Sequence, residues 1–202
     1  MHTVLRIVIA AAAITACALW VDIPLARWIF NNQTLGMKVA GEWLEELGKS
    51  HWVLGFCAIM IALSWRSMRA RAWHYMQLFG SVAISGIVAN IIKVVVCRPR
   101  PPLLLSSNIT AWDIFAFRTD FLWNSFPSGH ATTGIAIAIS ASAAWPRYRV
   151  AFWIVGIAIA VGRLLLDVHY LSDVVAGCLL GGAVATALQS VSAGNPIEWP
   201  SK

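Results

Sequence analysis

Tyr75-Met-Gln-Leu-Phe-Gly-Ser-Val-Ala-Ile-Ser-Gly-Ile-Val-Ala-Asn-Ile-Ile-Lys93-Val-Val-Val-Cys-Arg-Pro-Arg100-Pro101 decides the fold. From Tyr75 to Val96 its one charge is Lys93, and the run is long enough for a helix to cross the roughly 30 Å hydrocarbon core of a bilayer. It ends in cations locked between prolines, Arg98-Pro99-Arg100-Pro101. Working outward, apolar runs recur at about Val4–Trp20, Trp52–Trp65, His130–Trp145, Val150–Leu166 and Tyr170–Val191. The expectation is an all-α polytopic membrane protein: six transmembrane helices in one bundle, forming a single domain over residues 1–202. Composition agrees, with 59% hydrophobic and only 12% charged residues, about half the charge of a soluble domain. Several runs are short, and Trp20, Trp52, Trp65, Trp73 and Trp145 mark ends that fit an aromatic belt.

The last three spans are rich in small residues, as in Gly134-Ile-Ala-Ile-Ala-Ile-Ser-Ala-Ser-Ala-Ala144 and Gly177-Cys-Leu-Leu-Gly-Gly-Ala183. Small residues let helix backbones approach closely, so this half is expected to pack tightly. The start, Met1-His-Thr-Val-Leu-Arg6 before an apolar run, has the form of a signal peptide. It is read here as a first span that stays.

A formal charge of +6 does not imply nucleic acid, because no basic patch exists outside short loops. The cations instead sort by side. Arg66, Arg69, Arg71, Arg147 and Arg149 share one side with Arg6, Lys202 and the single acid Glu198, while eight cations and eight acids lie on the other. The positive-inside rule puts both termini in the cytoplasm. Cys17, Cys57, Cys97 and Cys178 show no metal or disulfide spacing and read as small hydrophobes. No metal site and no cofactor are expected.

Two outer segments stand out. In Leu35–Leu47, the residues Leu35, Val39, Trp43 and Leu47 share one helical face, which suits an interfacial amphipathic helix or a plain connector. Residues 101–126 carry Trp112, Phe115, Phe117, Phe121, Trp123 and Phe126, which suits the headgroup zone.

Three polar clusters fall on the outer face. Lys93 and Arg100 form the first. The second is Pro127-Ser128-Gly129-His130, at the start of the fourth span. There, unpaired N–H groups can bind an anion, and His130 can protonate a leaving oxygen, or the serine simply caps the helix. Arg163, His169 and Asp173 make the third. His169 and Asp173 are one helical turn apart, so the carboxylate can fix one ring nitrogen and leave the other free to attack, or the pair can cap the last span. Lys93 and Arg163 are cations near span ends, where snorkelling is common. Arg163 and Asp167 are also one turn apart. Buried charge in a membrane is costly and usually functional.

These clusters closely resemble the type 2 phosphatidic acid phosphatase superfamily, which includes vanadium haloperoxidases and glucose-6-phosphatase. Its first motif, Lys, six residues, Arg-Pro, is matched by Lys93, Arg100 and Pro101. Its second, Pro-Ser-Gly-His, is matched by Pro127 to His130. Its third, Ser-Arg, five residues, His, three residues, Asp, is matched by Arg163, His169 and Asp173, with Gly162 in place of the serine. The likeness covers roughly Ile84–Gly181. It implies a metal-independent lipid phosphate phosphatase. In that reading His169 is the nucleophile of a phosphohistidine mechanism, Asp173 orients it and His130 is the general acid. Lys93, Arg100, Ser128, Gly129 and Arg163 hold the phosphate.

The expected partners are a lipid phosphate substrate and the bilayer of a bacterial inner membrane, with the site on the periplasmic face. Phosphatidylglycerophosphate, undecaprenyl pyrophosphate, phosphatidate and lipid A phosphate are all candidate substrates. A lipid phosphotransferase would carry the same motifs, and a non-catalytic transporter or binding protein is the rival of another class. Arg98 and Arg118 are extra outer cations, placed to reach a second phosphate or to contact headgroups. The sequence sets no oligomeric state.

Overall fold

A computed structural model describes residues 2–66 and 68–194. Nine α-helices occur among them, and no strand. The side chain of Arg6 and residues Glu198 and Lys202, which entered the charge count, lie outside the described residues.

Helix α1 (His2–Ala16) is largely apolar and leaves Val4, Leu5, Ile7, Val8 and Ile9 exposed, as a lipid-facing helix does. It does not stop near Trp20 as expected. The chain makes one π-helical turn at Cys17–Val21 and continues as α2 (Asp22–Asn32). Pro24 lies in the first turn of α2. It cannot donate to the carbonyl of residue 20 and crowds it, which accounts for the widened turn there. What reads as an outer connector after Trp20 is therefore a helical extension, and it brings Asp22 into the bundle with 1% exposure.

Helix α3 (Leu35–Leu47) has the bounds the periodicity gives, capped by Thr34, whose hydroxyl accepts the Met37 N–H at 3.2 Å. Its apolar face of Leu35, Val39, Trp43 and Leu47 points outward and is exposed. Its opposite side packs on α8 (Arg149–Leu165) through Gly41 and Gly162. A Cβ on Gly162 would stand 2.6 Å from that of Leu44. The departure from the serine of the family motif thus has a physical cause, since α3 occupies the space a side chain would need.

Helices α4 (Ser50–Ser64), α5 (Arg69–Val96), α7 (Gly129–Ala144), α8 and α9 (Leu171–Gly194) form the bundle, and the short α6 (Pro101–Ser107) lies in the outer segment. Five stretches are long and apolar enough to cross a membrane: Ile7–Asn32, Leu35–Ser64, Arg69–Ser107, Pro146–Leu165 and Leu171–Val191. The sixth expected span, α7, has only 16 residues, about 24 Å of helix. It is the central element, packed on α5, α8 and α9 and buried along most of Ala131–Ala141. The small-residue pattern is what permits this. A Cβ on Gly134 would lie 2.7 Å from the Gly156 carbonyl, and side chains on Gly177 and Gly181 would strike the carbonyls of Ser128 and Thr132. The chain is an integral membrane protein of all-helical fold.

The alternation of helix direction sorts the chain ends. Arg66, Arg69, Arg71, Arg147 and Arg149 sit at one end of the bundle, where Trp145 packs on Tyr75 with ring centres 5.4 Å apart. The three polar clusters sit at the other end.

Candidate active site

The first cluster is shaped by how α5 stops. Cys97 caps it in the left-handed conformation (φ 44°, ψ 56°), and its N–H bonds the Lys93 carbonyl at 2.9 Å. The next residues lie outside any helix and Arg100 is extended (φ −80°, ψ 160°). Arg100 lines the central cavity, whereas Arg98 turns to the buried carboxylates of Asp22 and Asp173. Arg100 donates to the carbonyls of Phe121 (2.8 Å), Val168 (3.0 Å) and Asn124 (3.1 Å) and lies over the Phe121 ring at 3.8 Å. Lys93 Nζ donates to the Asn124 carbonyl at 2.8 Å.

At the start of α7, Ser128 is fully buried, and its hydroxyl accepts the Ala131 N–H at 3.5 Å, an ordinary cap. Its own N–H donates to the Asp173 carbonyl at 2.9 Å, which ties α7 to α9. A side chain on Gly129 would come out towards Lys93 Cε, 4.0 Å away. Its absence keeps the space between the helix start and the lysine open to an anion. His130 lines the same space, and its buried Nε2 has no hydrogen-bond partner among the described residues.

In the third cluster, Asp173 is completely buried and does both of the things its spacing allows. Its Oδ2 accepts the Tyr170 N–H at 2.9 Å, closing the first turn of α9 in the manner of a capping box. The same oxygen faces His169 Nδ1 at 3.4 Å and accepts the Ser125 hydroxyl at 2.6 Å. His169 Nε2 is thereby left on the cavity side. Burial, partly offset by the hydrogen bond to Asp173, holds the His169 ring well below its usual pKa. The imidazole is therefore neutral at pH 7 and has a free electron pair.

Lys93, Arg100, Gly129, His130, Arg163 and His169 line one cavity of about 310 Å³. Ser128 and Asp173 stand behind it. Sequence reasoning missed the far wall, which comes from the corner between α3 and α4 with Glu45, Lys49, Ser50 and His51. Glu45 Oε2 pairs with Arg163 Nη1 at 2.8 Å. The expected Arg163–Asp167 pair is not formed, because α8 ends at Leu165 and Asp167 turns away with φ 53°. Arg118, at the surface, pairs with Asp113. Arg98 is buried behind Asp173 rather than free to meet a second phosphate.

Asp167 is buried with no hydrogen-bond partner for either carboxylate oxygen among the described residues. Burial raises its pKa to about 6. The sign follows from linkage: a carboxyl raised above its unfolded value near 4 contributes stability that is fully present below about pH 4 and is lost as pH rises through 6. Asparagine accepts the left-handed backbone and needs no ionisation. Asp167→Asn is expected to melt higher than the parent at pH 8, with the gap closing between pH 6 and pH 4, and to keep most activity. Thermal unfolding in detergent at both pH values checks this; a gap that widens in acid would refute it.

The family model of the PAP2 superfamily matches residues 74–195. Lipid A 1-phosphatase of Rhizobium etli is 30% identical over 93% of this chain and 87% of its own length. The protein of the same name from Rhizobium johnstonii is 31% identical over 81% and 74%. In fold, the chain is similar to the crystal structure of Aquifex aeolicus LpxE, with a TM-score of 0.65 at 19% identity over 84% of this chain and 94% of that one. The first transmembrane PAP2-type phosphatidylglycerolphosphate phosphatase from Bacillus subtilis gives a TM-score of 0.62 at 16% identity over 96% of both. The chain belongs to the PAP2 superfamily. Within it, the chain is a membrane phosphatase acting on lipid phosphate esters.

Proposed function

We propose that this protein removes the anomeric phosphate of a lipid A-type glycolipid, on the periplasmic face of a bacterial inner membrane, through a phosphohistidine at His169. The observation that carries the mechanism is the convergence of His130, His169, Lys93, Arg100, Arg163 and the start of α7 on one cavity at the end opposite the arginine-rich loops. The substrate is taken from the two relatives that align along most of the chain. Asn90, Ser50 and Thr133 on the cavity wall offer hydrogen bonds suited to a hydroxylated headgroup.

The geometry supports the following sequence of steps. His169 Nε2 attacks phosphorus in line with the bond to the sugar oxygen. The P–N bond forms as the P–O bond breaks, and His130 gives its proton to the departing oxygen. Asp173 accepts from Nδ1–H and offsets the positive charge the ring acquires. Lys93, Arg100, Arg163 and the N–H groups about Gly129 face the equatorial oxygens, where charge accumulates. Phosphate must displace Glu45 from Arg163, and Glu45 is more than one-third exposed and can turn outward. Water, losing its proton to His130, then cleaves the P–N bond and releases phosphate.

The test is a panel of lipid A, phosphatidylglycerophosphate, phosphatidate and undecaprenyl pyrophosphate, supplied to purified protein and to right-side-out vesicles. The expected result is fastest release of inorganic phosphate from lipid A, leaving a product without its 1-phosphate, and no need for permeabilisation. Faster turnover of phosphatidylglycerophosphate would replace the substrate. Loss of lipid phosphate without free inorganic phosphate would make the protein a phosphotransferase.

A further inference from the structure

Behind the His169–Asp173 pair lie Arg98 and Asp22, two charged residues that no family motif includes. Arg98 is 4% exposed and sits between Asp173 and Asp22, both essentially buried. Its Nη1 donates to Asp173 Oδ1 at 2.5 Å and to the Ser172 hydroxyl at 2.6 Å, and its Nη2 donates to Asp22 Oδ2 at 2.7 Å. The guanidinium lies over the rings of Tyr170 (4.2 Å) and Trp112 (4.7 Å). Asp22 in turn accepts the Ser172 N–H at 2.9 Å and its hydroxyl at 2.5 Å. Asp22 belongs to α2, outside the matched residues 74–195.

Resting on the phosphohistidine reading above, we infer that Asp22 and Arg98 are positioning residues that set how much negative charge stands behind the His169 imidazole. The count decides it. Asp22, Arg98 and Asp173 together carry a net charge of −1. Arg98 alone would cancel Asp173. The ring would then face Lys93 of α5 and Arg100 beyond its end, with Arg163 of α8, His130 of α7 and Lys49 and His51 of the α3–α4 corner on the same cavity, and Glu45 of α3 to oppose them. Attack on phosphorus puts a positive charge on that ring, so a neutral background would disfavour it. Asp22 draws on the second face of the Arg98 guanidinium and leaves Asp173 its charge. Arg98 meanwhile fixes the Asp173 carboxylate, so that Oδ2 stays turned to Nδ1.

The consequence is a pair of opposite shifts. The acid limb of kcat/KM against pH reports the essential base of the free enzyme, here neutral His169. Asp22→Asn removes a negative charge, so His169 is harder to protonate, and the limb is expected to move to lower pH. Because the ring cation is also less stabilised, kcat should fall by roughly tenfold while KM changes little. Arg98→Gln removes a positive charge and should move the limb to higher pH. Asp22→Glu, which keeps the charge, should restore the limb. A cluster that only clamps α2 to α9 would lower activity without moving either limb.

The experiment measures these profiles on the full chain in detergent with dioctanoyl phosphatidate, accepting only variants that elute as monodisperse protein. Opposite shifts support the inference, and so does a shift in the expected direction from whichever variant is recovered. Unshifted limbs, shifts of the same sign, or failure of both variants to fold would assign the cluster a purely structural role and overturn it. Inactivity of the parent protein on every lipid phosphate would be a different result, removing the phosphohistidine reading and this inference with it.

Discussion

His169→Ala is expected to abolish turnover, by at least about 10⁴-fold, because in the proposed mechanism it deletes the atom that bonds to phosphorus rather than weakening a contact to it. The variant should still bind. Lys93, Arg100 and Arg163 are anchored on carbonyls and on Glu45, not on His169, so substrate affinity should fall only modestly. Parent enzyme mixed with labelled substrate and quenched in base should carry a phosphate label, and the label should vanish on acid quench, since phosphohistidine is acid-labile. His169→Ala should carry none. Vanadate should inhibit the parent more tightly than inorganic phosphate does, because it adopts the five-coordinate geometry with Nε2 as apical ligand, and this advantage should disappear in the variant. A base-stable label that persists in His169→Ala would move the nucleophile elsewhere, with His130 next in position.

How much of this was legible before the structure depends on the range of the forces involved. The six apolar runs are read from local composition, and each appears as a helix. Lys93, Arg100, Gly129, His130, Arg163 and His169 could be placed on one cavity because helix direction alternates, so cations and histidines at the ends of α5, α7, α8 and α9 fall at one end of the bundle. Ser128 and Asp173 were legible as residues, with capping and site roles as alternatives: Asp173 closes a turn of α9 and faces His169, whereas Ser128 caps α7 behind the cavity. Glu45 was not legible. Its spacing puts it on the polar face of an amphipathic helix, and only the α3–α8 crossing at Gly41 and Gly162 turns that face towards Arg163. Asp22 lies 150 residues from its partner Ser172, beyond any periodicity. One signal was available: an acid two residues after Trp20, at the end of an apolar stretch, must find a partner or leave the membrane. Arg98 was misplaced because a cation among cations suggests a longer anion site, whereas the carboxylates that bury it, Asp22 and Asp173, lie 76 and 75 residues away in sequence.

His130→Ala separates the two halves of the reaction and is expected to cost on the order of 10²–10⁴-fold in turnover of a lipid phosphate, the usual contribution of a positioned proton donor. The placement of His130 suits the proposed role. It sits in the first turn of α7 with its free Nε2 buried at the cavity, and Gly48 makes room for the ring, since a Cβ there would stand 2.7 Å from His130 Cδ2. The loss should depend on the leaving group. A sugar or glycerol oxygen departs as a strong base and needs the proton, whereas a nitrophenolate does not. Phosphorylation of His169 by a nitrophenyl ester should therefore be nearly unimpaired. The second half-reaction still lacks its base, because His130 must take the proton from the attacking water. With the activated ester, His130→Ala should show a burst of nitrophenol, one equivalent per enzyme, followed by slow steady-state release, and the base-quenched label on His169 should accumulate. With the lipid, no burst should appear. Equal losses for both esters, with no trapped label, would mean that His130 positions the phosphate instead of moving a proton.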